Sequence, residues 1–297
     1  MGRVKLPPMT STSPFILRAV ALSAASLFVV STAWAQTPAS SASSGSAAIA
    51  AAEKDAASAK KWSIYWGWNR SNYSNSDISF SGADHNFTLK NVAATDIQTD
   101  ATWANVFGIY LRPSEITIPQ TNLRLAYQYT SDIAIALNLD HMKYYMAQDQ
   151  SVPISGQIKG VTQTGQQVLT EQFLTYEHTD GLNIISVELE KQYPVSLFGP
   201  SVPTRLFALA GLGVVVPKSN VTLGVVGRVR NDEFHLAGYS AGLGGGLEVD
   251  LFKNFFFRTA YKFGYVNLPD VRTSSKDDKA SQSFTYNEWL IAAGWRF

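Results

Sequence analysis

The sequence predicts an all-β chain whose antiparallel strands close into a transmembrane β-barrel. Apolar and polar residues alternate along most of the chain after residue 60, as half-buried strands require. The same region contains no run of ~18 consecutive apolar residues, which a membrane-spanning helix would need. Charged residues make up 16% of the chain and aromatic residues 12%, whereas an ordinary soluble domain has roughly 25% charged residues. The mean hydropathy of −0.04 excludes a polytopic helical membrane protein.

Composition also limits the chemistry of the chain. It has no Cys, which excludes disulfide scaffolds, thiolate metal sites and Cys nucleophiles. A formal net charge of +1 argues against a nucleic-acid-binding surface, and four His leave little material for a metal site. The P-loop, the dinucleotide fingerprint and the His-Glu-x-x-His motif do not occur. We therefore expect no metal, no cofactor and no nucleic-acid partner.

The N-terminal region predicts export. Arg3, Lys5 and Arg18 precede an apolar stretch over residues 19–33, and Ala33-Trp34-Ala35 fits the small-x-small cleavage rule. An uncleaved anchor is the alternative, but the apolar stretch is short and contains several Ser and Thr. Residues 1–35 are thus predicted to be a cleaved signal peptide. Residues 36–61, rich in Ala and Ser, are a predicted periplasmic spacer, and residues 62–297 are the predicted barrel.

Eight segments of the barrel region are predicted strands. They cover residues 62–70, 122–130, 133–145, 182–193, 204–216, 237–251, 255–266 and 284–297. In the first, Trp62, Ile64, Trp66 and Trp68 share one face, and polar or small residues share the other. The segment 204–216 is apolar on both faces, so its inward face cannot be assigned from the sequence.

The connections between these strands alternate in length. Thr130-Ser131-Asp132 and Lys253-Asn254 are predicted tight turns, whereas residues 147–181, 217–236 and 267–283 are predicted long polar connections. Short turns at one end and long loops at the other are typical of transmembrane barrels. Residues 71–121 form either one long outer loop or two further strands near 84–93 and 103–111. We prefer eight strands to ten, because neither of these segments alternates over its length.

The polar face of the strands carries charge in mid-strand, which favours a membrane barrel over a soluble sandwich. The predicted inward charges are Arg124, Glu188, Glu190, Glu248, Asp250, Arg258, Lys262, Glu288 and Arg296. The interior of an eight-stranded barrel is just wide enough to be filled by side chains. Unpaired buried charges are costly, so we expect these residues to form an ion-paired plug. The alternative is a gated, narrow ion path.

Histidines beside carboxylates are the candidate catalytic residues. Glu177-His178-Thr179-Asp180 and Asp140-His141 place an imidazole next to acidic groups, as general-base activation of a hydroxyl requires. The hydroxyl partner is not identifiable, and Ser151, Ser155 and Ser186 are only guesses. Because we expect His178 to be an exposed, solvated loop residue, the chain is predicted not to be an enzyme. A metal site at the same cluster is not expected, since no ligand spacing recurs.

The chain end Trp295-Arg296-Phe297 resembles the terminal strand of bacterial outer-membrane barrels, which carries a terminal Phe and a second aromatic residue two positions earlier. It departs from that pattern at Ala292 and Leu290. Residues 62–297 resemble the small eight-stranded barrels of the outer-membrane protein A type. The segments that resemble a group of uncharacterised outer-membrane barrel proteins are Trp66–Asp77, Asp140–Lys143 and Glu177–Asn183. The resemblance implies an outer-membrane location and recognition of Trp295 and Phe297 by the barrel assembly machinery.

Together these features predict a monomeric outer-membrane barrel with a filled lumen and long outer loops, in a structural or surface-binding role. We expect its partners to be outer-membrane lipids, lipopolysaccharide and the assembly machinery. A narrow ion or solute channel is one alternative. A barrel-embedded hydrolase or acyltransferase acting on lipid A or phospholipid is another.

Overall fold

A computed structural model describes residues 60–115, 118–199, 201–275 and 277–297. The predicted signal peptide and all but the last two residues of the predicted spacer lie outside this part of the chain. Within the described ranges, no helix is long and apolar enough to cross a membrane.

Antiparallel β-strands account for most of the described chain. In chain order they are β1 (Trp62–Tyr73), β2 (Ser76–Gly82), β3 (His85–Val92), β4 (Ala94–Thr95), β5 (Thr121–Gln128), β6 (Ile133–Met146), β7 (Ser151–Ile158), β8 (Val161–Gln163), β9 (Gln166–Val168), β10 (Thr175–Val195), β11 (Thr204–Val215), β12 (Lys218–Thr222), β13 (Asn231–Phe234), β14 (Gly238–Asp250), β15 (Phe255–Arg272) and β16 (Lys279–Arg296). Short helical turns cover Trp103–Asn105, Val106–Tyr110, Pro113–Glu115 and Gly224–Val226.

Eight of these strands close into one ring. Its order is β1-β5-β6-β10-β11-β14-β15-β16, and β16 pairs back onto β1 with Ser63 opposite Arg296. These are the eight predicted strands, so the predicted eight-stranded barrel is confirmed. The ten-stranded alternative is wrong. β3 forms where a strand near 84–93 was considered, but it pairs with β2 and β7 outside the ring, and the segment near 103–111 is helical.

Side chains alternate strictly between the two faces of the ring. In β15, Phe256, Arg258 and Lys262 point inward and are buried, whereas Phe257 and Phe263 point outward and are exposed. The structure also assigns the faces of β11. Phe207 and Leu209 are buried inside, and Leu206 and Leu212 are exposed outside. Only the pairing of β11 with β10 and β14 fixes this choice, because both of its faces are apolar.

The outward face forms an apolar belt, here defined as the exposed large side chains of the ring strands. Its members include Ile64, Leu123, Leu125, Ile135, Leu137, Ile185, Val187, Leu189, Leu206, Leu212, Val214, Leu243, Phe257, Tyr261, Phe263, Trp289, Ile291 and Trp295. The belt covers only part of the longest strands. β10 has 21 residues and β15 and β16 have 18 each, about twice the 9–11 residues that a tilted strand needs to cross a bilayer.

Beyond the belt, the long connections build a folded β-extension, which we define as residues 74–95, 142–182, 216–237 and 266–284. The prediction of long polar loops at 71–121, 147–181, 217–236 and 267–283 is wrong, because these connections contain paired strands and contribute buried apolar residues. β2, β3 and β7 continue the sheet from the upper end of β16, and β12 pairs with β10. Fully buried residues such as Ile78, Phe80, Leu89 and Tyr176 give the extension its own hydrophobic core. These apolar residues are scattered over separate short segments, so no single loop shows a sustained pattern.

Candidate functional site

The inward charges meet in the lumen, between the short turns and the β-extension. Arg124 comes from β5, Glu188 and Glu190 from β10, Glu248 and Asp250 from β14, Arg258 and Lys262 from β15, and Glu288 and Arg296 from β16. Period-two alternation aims all of them into the ring. All are buried except Asp250 and Arg296, which are half-buried at the short-turn end.

Arg258 lies at the centre of this network. Its Nη2 is 2.5 Å from Oε2 of Glu190, and its Nη1 is 3.0 Å from Oε2 of Glu248. The guanidinium also stacks on the ring of Phe207, 3.4 Å from the ring centroid. Arg124 completes the layer, with Nε 2.8 Å from Glu188 and Nη2 2.9 Å from Glu190. Two arginines thus share Glu190 and connect three strands across the lumen.

Lys262 organises the layer next to the β-extension. Its Nζ lies 3.0 Å from both carboxylate oxygens of Asp140 and 3.0 Å from Oε1 of Glu188. Asn122 donates from Nδ2 to Asp140 and, over 2.8 Å, to Oε1 of Glu288. The sequence analysis considered Asp140 only as a partner of His141. Asp140 and Asn138 share the face of β6 opposite Leu137, and this alternation was the signal that could have added Asp140 to the network.

A third layer closes the short-turn end. Arg205 pairs with Glu248 at 2.7 Å and with Asp250 at 2.6 Å, and Arg296 pairs with the same two carboxylates. Arg205 was missed because it lies in β11, whose inward face could not be read from its sequence. Near-complete pairing of charge is what a narrow, poorly solvated interior demands.

Two small cavities lie inside the ring. A cavity of about 20 Å³ lies beside Asp140, Glu188 and Lys262, and another of about 20 Å³ lies at the short-turn mouth beside Arg124 and Arg258. A volume of this size holds about one water molecule. Above the charged layers, the apolar core of the β-extension covers the lumen.

The structure places the candidate histidines His178 and His141 in hydrogen bonds with Ser219 and Asn183. His178 is 0% exposed and lies within the β-extension between the rings of Tyr144 and Tyr176, so the expectation of a solvated loop residue is wrong. Burial without a charged partner lowers the pKa of His178 to about 3. Within the described residues, the one hydroxyl that hydrogen-bonds His178 is that of Ser219, whose Oγ lies 2.9 Å from Nδ1 of His178. Ser219 is itself buried, so this pair has no open face for a substrate.

The carboxylate expected beside His178 points elsewhere. Asp180 bonds Lys218 over 3.0 Å instead, and this partner holds the pKa of Asp180 below its usual value against the opposing effect of burial. Nδ1 of His141 forms a hydrogen bond of 2.7 Å with Oδ1 of Asn183. Among the described residues, the hydroxyl that hydrogen-bonds His178 is that of Ser219 and not that of Ser151, Ser155 or Ser186. Among the described residues, no group of three or more His, Asp or Glu side chains could hold a metal ion.

The chain terminus lies at the seam of the ring. Trp295 and Phe297 point outward and are exposed, and Phe297 exchanges backbone hydrogen bonds with Trp62 over 2.9 and 3.1 Å. Ala292, where the outer-membrane pattern has Gly, faces inward and is buried. The terminal aromatics are thus accessible from outside the barrel. Their recognition by the assembly machinery stays a prediction.

Comparison with known proteins adds several distant structural likenesses. No protein-family model and no curated protein matches this sequence. Among solved structures, Neisserial surface protein A (NspA) is 10% identical, with 80% of this chain and 97% of that chain covered and a TM-score of 0.36. OprG from Pseudomonas aeruginosa is 12% identical, with 80% and 96% covered and a TM-score of 0.35. Ail of Yersinia pestis, in complex with the heparin analogue sucrose octasulfate, is 12% identical, with 80% and 99% covered and a TM-score of 0.30.

The fold rests on the strand pairing of the chain itself, in which eight antiparallel strands form a closed ring around a charged lumen. That is the fold implied by the sequence resemblance to small outer-membrane barrels.

Proposed function

We propose that this chain is an integral outer-membrane β-barrel with a permanently filled lumen, which anchors a folded β-extension at the cell surface. The observation that carries this proposal is the inverted distribution of side chains in the ring. Leu212 is 72% exposed and Leu243 is 64% exposed, while Arg258 and Glu190 are buried inside. A continuous apolar belt is unfavourable in water and suits a bilayer, and a polar interior is the usual counterpart of such a belt.

The filled lumen supports a structural role over a channel. A conducting path would need the ion pairs of Arg258 and Lys262 to separate, and breaking a buried pair costs about 3–5 kcal/mol. The path would also have to cross the apolar core of the β-extension. The His178–Ser219 pair is enclosed and offers no support for a catalytic role.

The β-extension supports a surface-contact role. Its strands β4, β12 and β2 pair with β6, β10 and β16 of the ring, so whatever the extension binds is coupled to a rigid membrane anchor. We propose that outer-membrane lipids and lipopolysaccharide surround the belt and that the protein is a monomer. In this arrangement the short turns and the Ala/Ser-rich spacer face the periplasm.

The decisive experiment combines membrane fractionation with single-molecule conductance. We expect the protein in the outer-membrane fraction, beginning at Gln36, and a compact band that shifts on heating before gel electrophoresis. Reconstituted in planar bilayers, it should conduct no ions at neutral pH. A soluble protein, or one without the heat-dependent shift, contradicts membrane integration, whereas steady single-channel conductance contradicts the filled lumen.

A further inference from the structure

A helical segment interrupts the barrel wall at the upper edge of the belt. β1 continues to Tyr73 and β6 to Met146, but the strand between them, β5, begins only at Thr121, opposite Trp68. Gln120 and Asp96 take up part of the missing pairing. Gln120 accepts a backbone hydrogen bond from Asn69 over 3.2 Å. The Oδ2 atom of Asp96 accepts one from the backbone of Ser71 over 3.1 Å.

Arg70 fixes this segment to the outside of the wall. Its Nη1 donates to Oε1 of Gln120 over 2.9 Å, and its Nη2 donates to the carbonyl of Thr99 over 2.9 Å and to the hydroxyl of Tyr110. The guanidinium also lies 5.8 Å from the centroid of the Tyr110 ring. These contacts hold Tyr110, at the end of the helical turns, against β1.

An apolar groove of about 430 Å³ lies between this segment and the wall. Trp68, Trp289 and Ile291 line it on the wall side, and Val106, Tyr110 and Leu111 line it on the segment side. This volume lies within the range of sites that bind small organic molecules. Trp289 and Ile291 are members of the apolar belt, so the groove is continuous with the surface that faces the bilayer.

The segment exposes a second apolar surface beside the groove. Trp103 is 80% exposed, Phe107 is 65% exposed and Leu111 is 50% exposed. Spaced four residues apart, they lie on one side of the helical turns, and the rings of Trp103 and Phe107 stack with centroids 6.3 Å apart. Exposed aromatic and aliphatic residues on a short helical segment, followed by the exposed Arg112, are typical of a segment lying in a membrane interface.

We propose that the groove binds one acyl chain of lipid A, the membrane anchor of lipopolysaccharide. The inference rests on the proposed function, because that orientation places the groove at the β-extension end of the belt, in the outer leaflet. Lipid A is the acylated lipid of that leaflet and carries phosphates. Arg70 lies at the rim of the groove with both Nη atoms bonded within the protein, and the exposed Arg112, at the end of the segment, offers the charge complementary to those phosphates.

A groove-filling substitution tests this site. Ala101 lines the groove and Ala208 lies on the outward face of β11, away from it, so Ala101→Trp and Ala208→Trp add the same side chain at a test and a control position. The detergent-solubilised full-length protein is titrated with lipid A, and the complexes are counted by native mass spectrometry. We expect one retained lipid A for the wild type and for Ala208→Trp, and at least tenfold weaker retention for Ala101→Trp.

Three outcomes would overturn the inference. Equal retention by the Ala101→Trp variant would place the lipid elsewhere. If phosphatidylethanolamine displaced bound lipid A as effectively as added lipid A does, the groove would be a general hydrocarbon surface. If the protein formed a stable dimer that excluded lipid, the groove would be an interface between two copies of the chain. Heat-dependent gel mobility is recorded for every variant. Loss of lipid A from a variant that keeps this shift tests the groove, because the barrel is then intact. Loss of the shift in the wild type would contradict the proposed barrel itself.

Discussion

At the scale of single residues, Glu190 shows how the lumen tolerates full charges. Both Arg124 and Arg258 lie within 2.9 Å of its Oε2 atom, and all three side chains are buried. Removing one member of a buried ion network leaves its partners charged in a poorly solvated space, and that penalty exceeds the value of the pair itself. The network is therefore expected to fail cooperatively when one member is neutralised.

We predict that Glu190→Gln lowers the free energy of unfolding by about 3–5 kcal/mol, because it leaves Arg258 and Arg124 undercompensated. Urea unfolding in lipid vesicles, followed by tryptophan fluorescence, measures the change. The control is Asp132→Asn, which breaks the exposed pair with Lys191 and should cost at most about 1 kcal/mol. If the two variants lost the same free energy of unfolding, a buried network in which both arginines depend on Glu190 would be contradicted.

His178 gives the β-extension a predictable response to pH. Burial lowers its pKa from 6.5 to about 3, so the folded chain stays unprotonated at this residue while the unfolded chain takes up a proton below pH ~6.5. The stability that neutral His178 contributes is therefore complete above pH ~6.5 and is lost as the pH falls toward 3. The slope in this window is at most about 1.4 kcal/mol per pH unit.

We predict that the opening free energy of the β-extension falls by about 2 kcal/mol more in the wild type than in His178→Gln between pH 7 and pH 5. Native-state hydrogen exchange at the amides of β12 measures it. Tyr176→Phe is the control, because it alters a ring next to His178 without removing the group that titrates. If His178→Gln retains the wild-type pH dependence, His178 is not the titrating group.

At the scale of elements, β14 fits its neighbours through glycine. A Cβ at Gly246 would overlap the carbonyl oxygen of Thr259 and lie 2.7 Å from Cζ of Phe207. Phe207 in turn supports the guanidinium of Arg258. At Gly246 the space left by the missing side chain is used by an aromatic ring.

We predict that Gly246→Ala destabilises the barrel by about 1–3 kcal/mol, through overpacking against β15 and Phe207. The temperature at which the compact gel band is lost measures the effect. Gly245→Ala is the matched control at the adjacent position, where the nearest atom to a new Cβ is the Phe207 carbonyl oxygen at 3.0 Å. A similar shift for both variants would show that strand propensity, rather than packing, sets the cost.

The sequence predicted the ring well because one physical constraint repeats along every ring strand. Alternation such as that of Trp66 and Trp68 with Gly67 and Asn69 fixes the strand type and the inward face. Alternation could not identify the inward face of β11, because both faces of this strand are apolar. Arg205 was therefore absent from the predicted network. Asp140 was assigned to another role because one residue cannot reveal its partner across the lumen.

The β-extension could not be predicted because its strands depend on contacts between distant parts of the chain. β2 pairs with β16, more than 190 residues further along, and β3 pairs with β7. Short strands of this kind carry little local signal, and their apolar residues become informative only when the core they share is known. His178 belongs to the same core, which is why sequence reasoning placed it in solvent.

At the scale of the whole molecule, the chain contains two separate buried clusters. One lies in the β-extension and includes Phe80, Phe87 and Tyr176, and the other lies in the lumen and includes Phe207 and Phe256. The layer of Lys262, Asp140 and Glu188 lies in the lumen as well. Because the two clusters share no buried residue, damage to the extension is expected to leave the ring intact.

We therefore predict that Phe80→Ala opens the β-extension and spares the barrel. Phe80 is fully buried against Phe87 and Tyr176, with ring centroids 5.1 and 5.7 Å away, and its truncation should cost about 3–5 kcal/mol. Proteinase K added to intact cells should cut the extension of this variant and leave that of the wild type whole. The protected remainder should still shift on heating, as should the belt control Leu137→Ala. Loss of the compact band together with the extension would mean that the two clusters unfold as one unit, and the extension would then be a continuation of the barrel core.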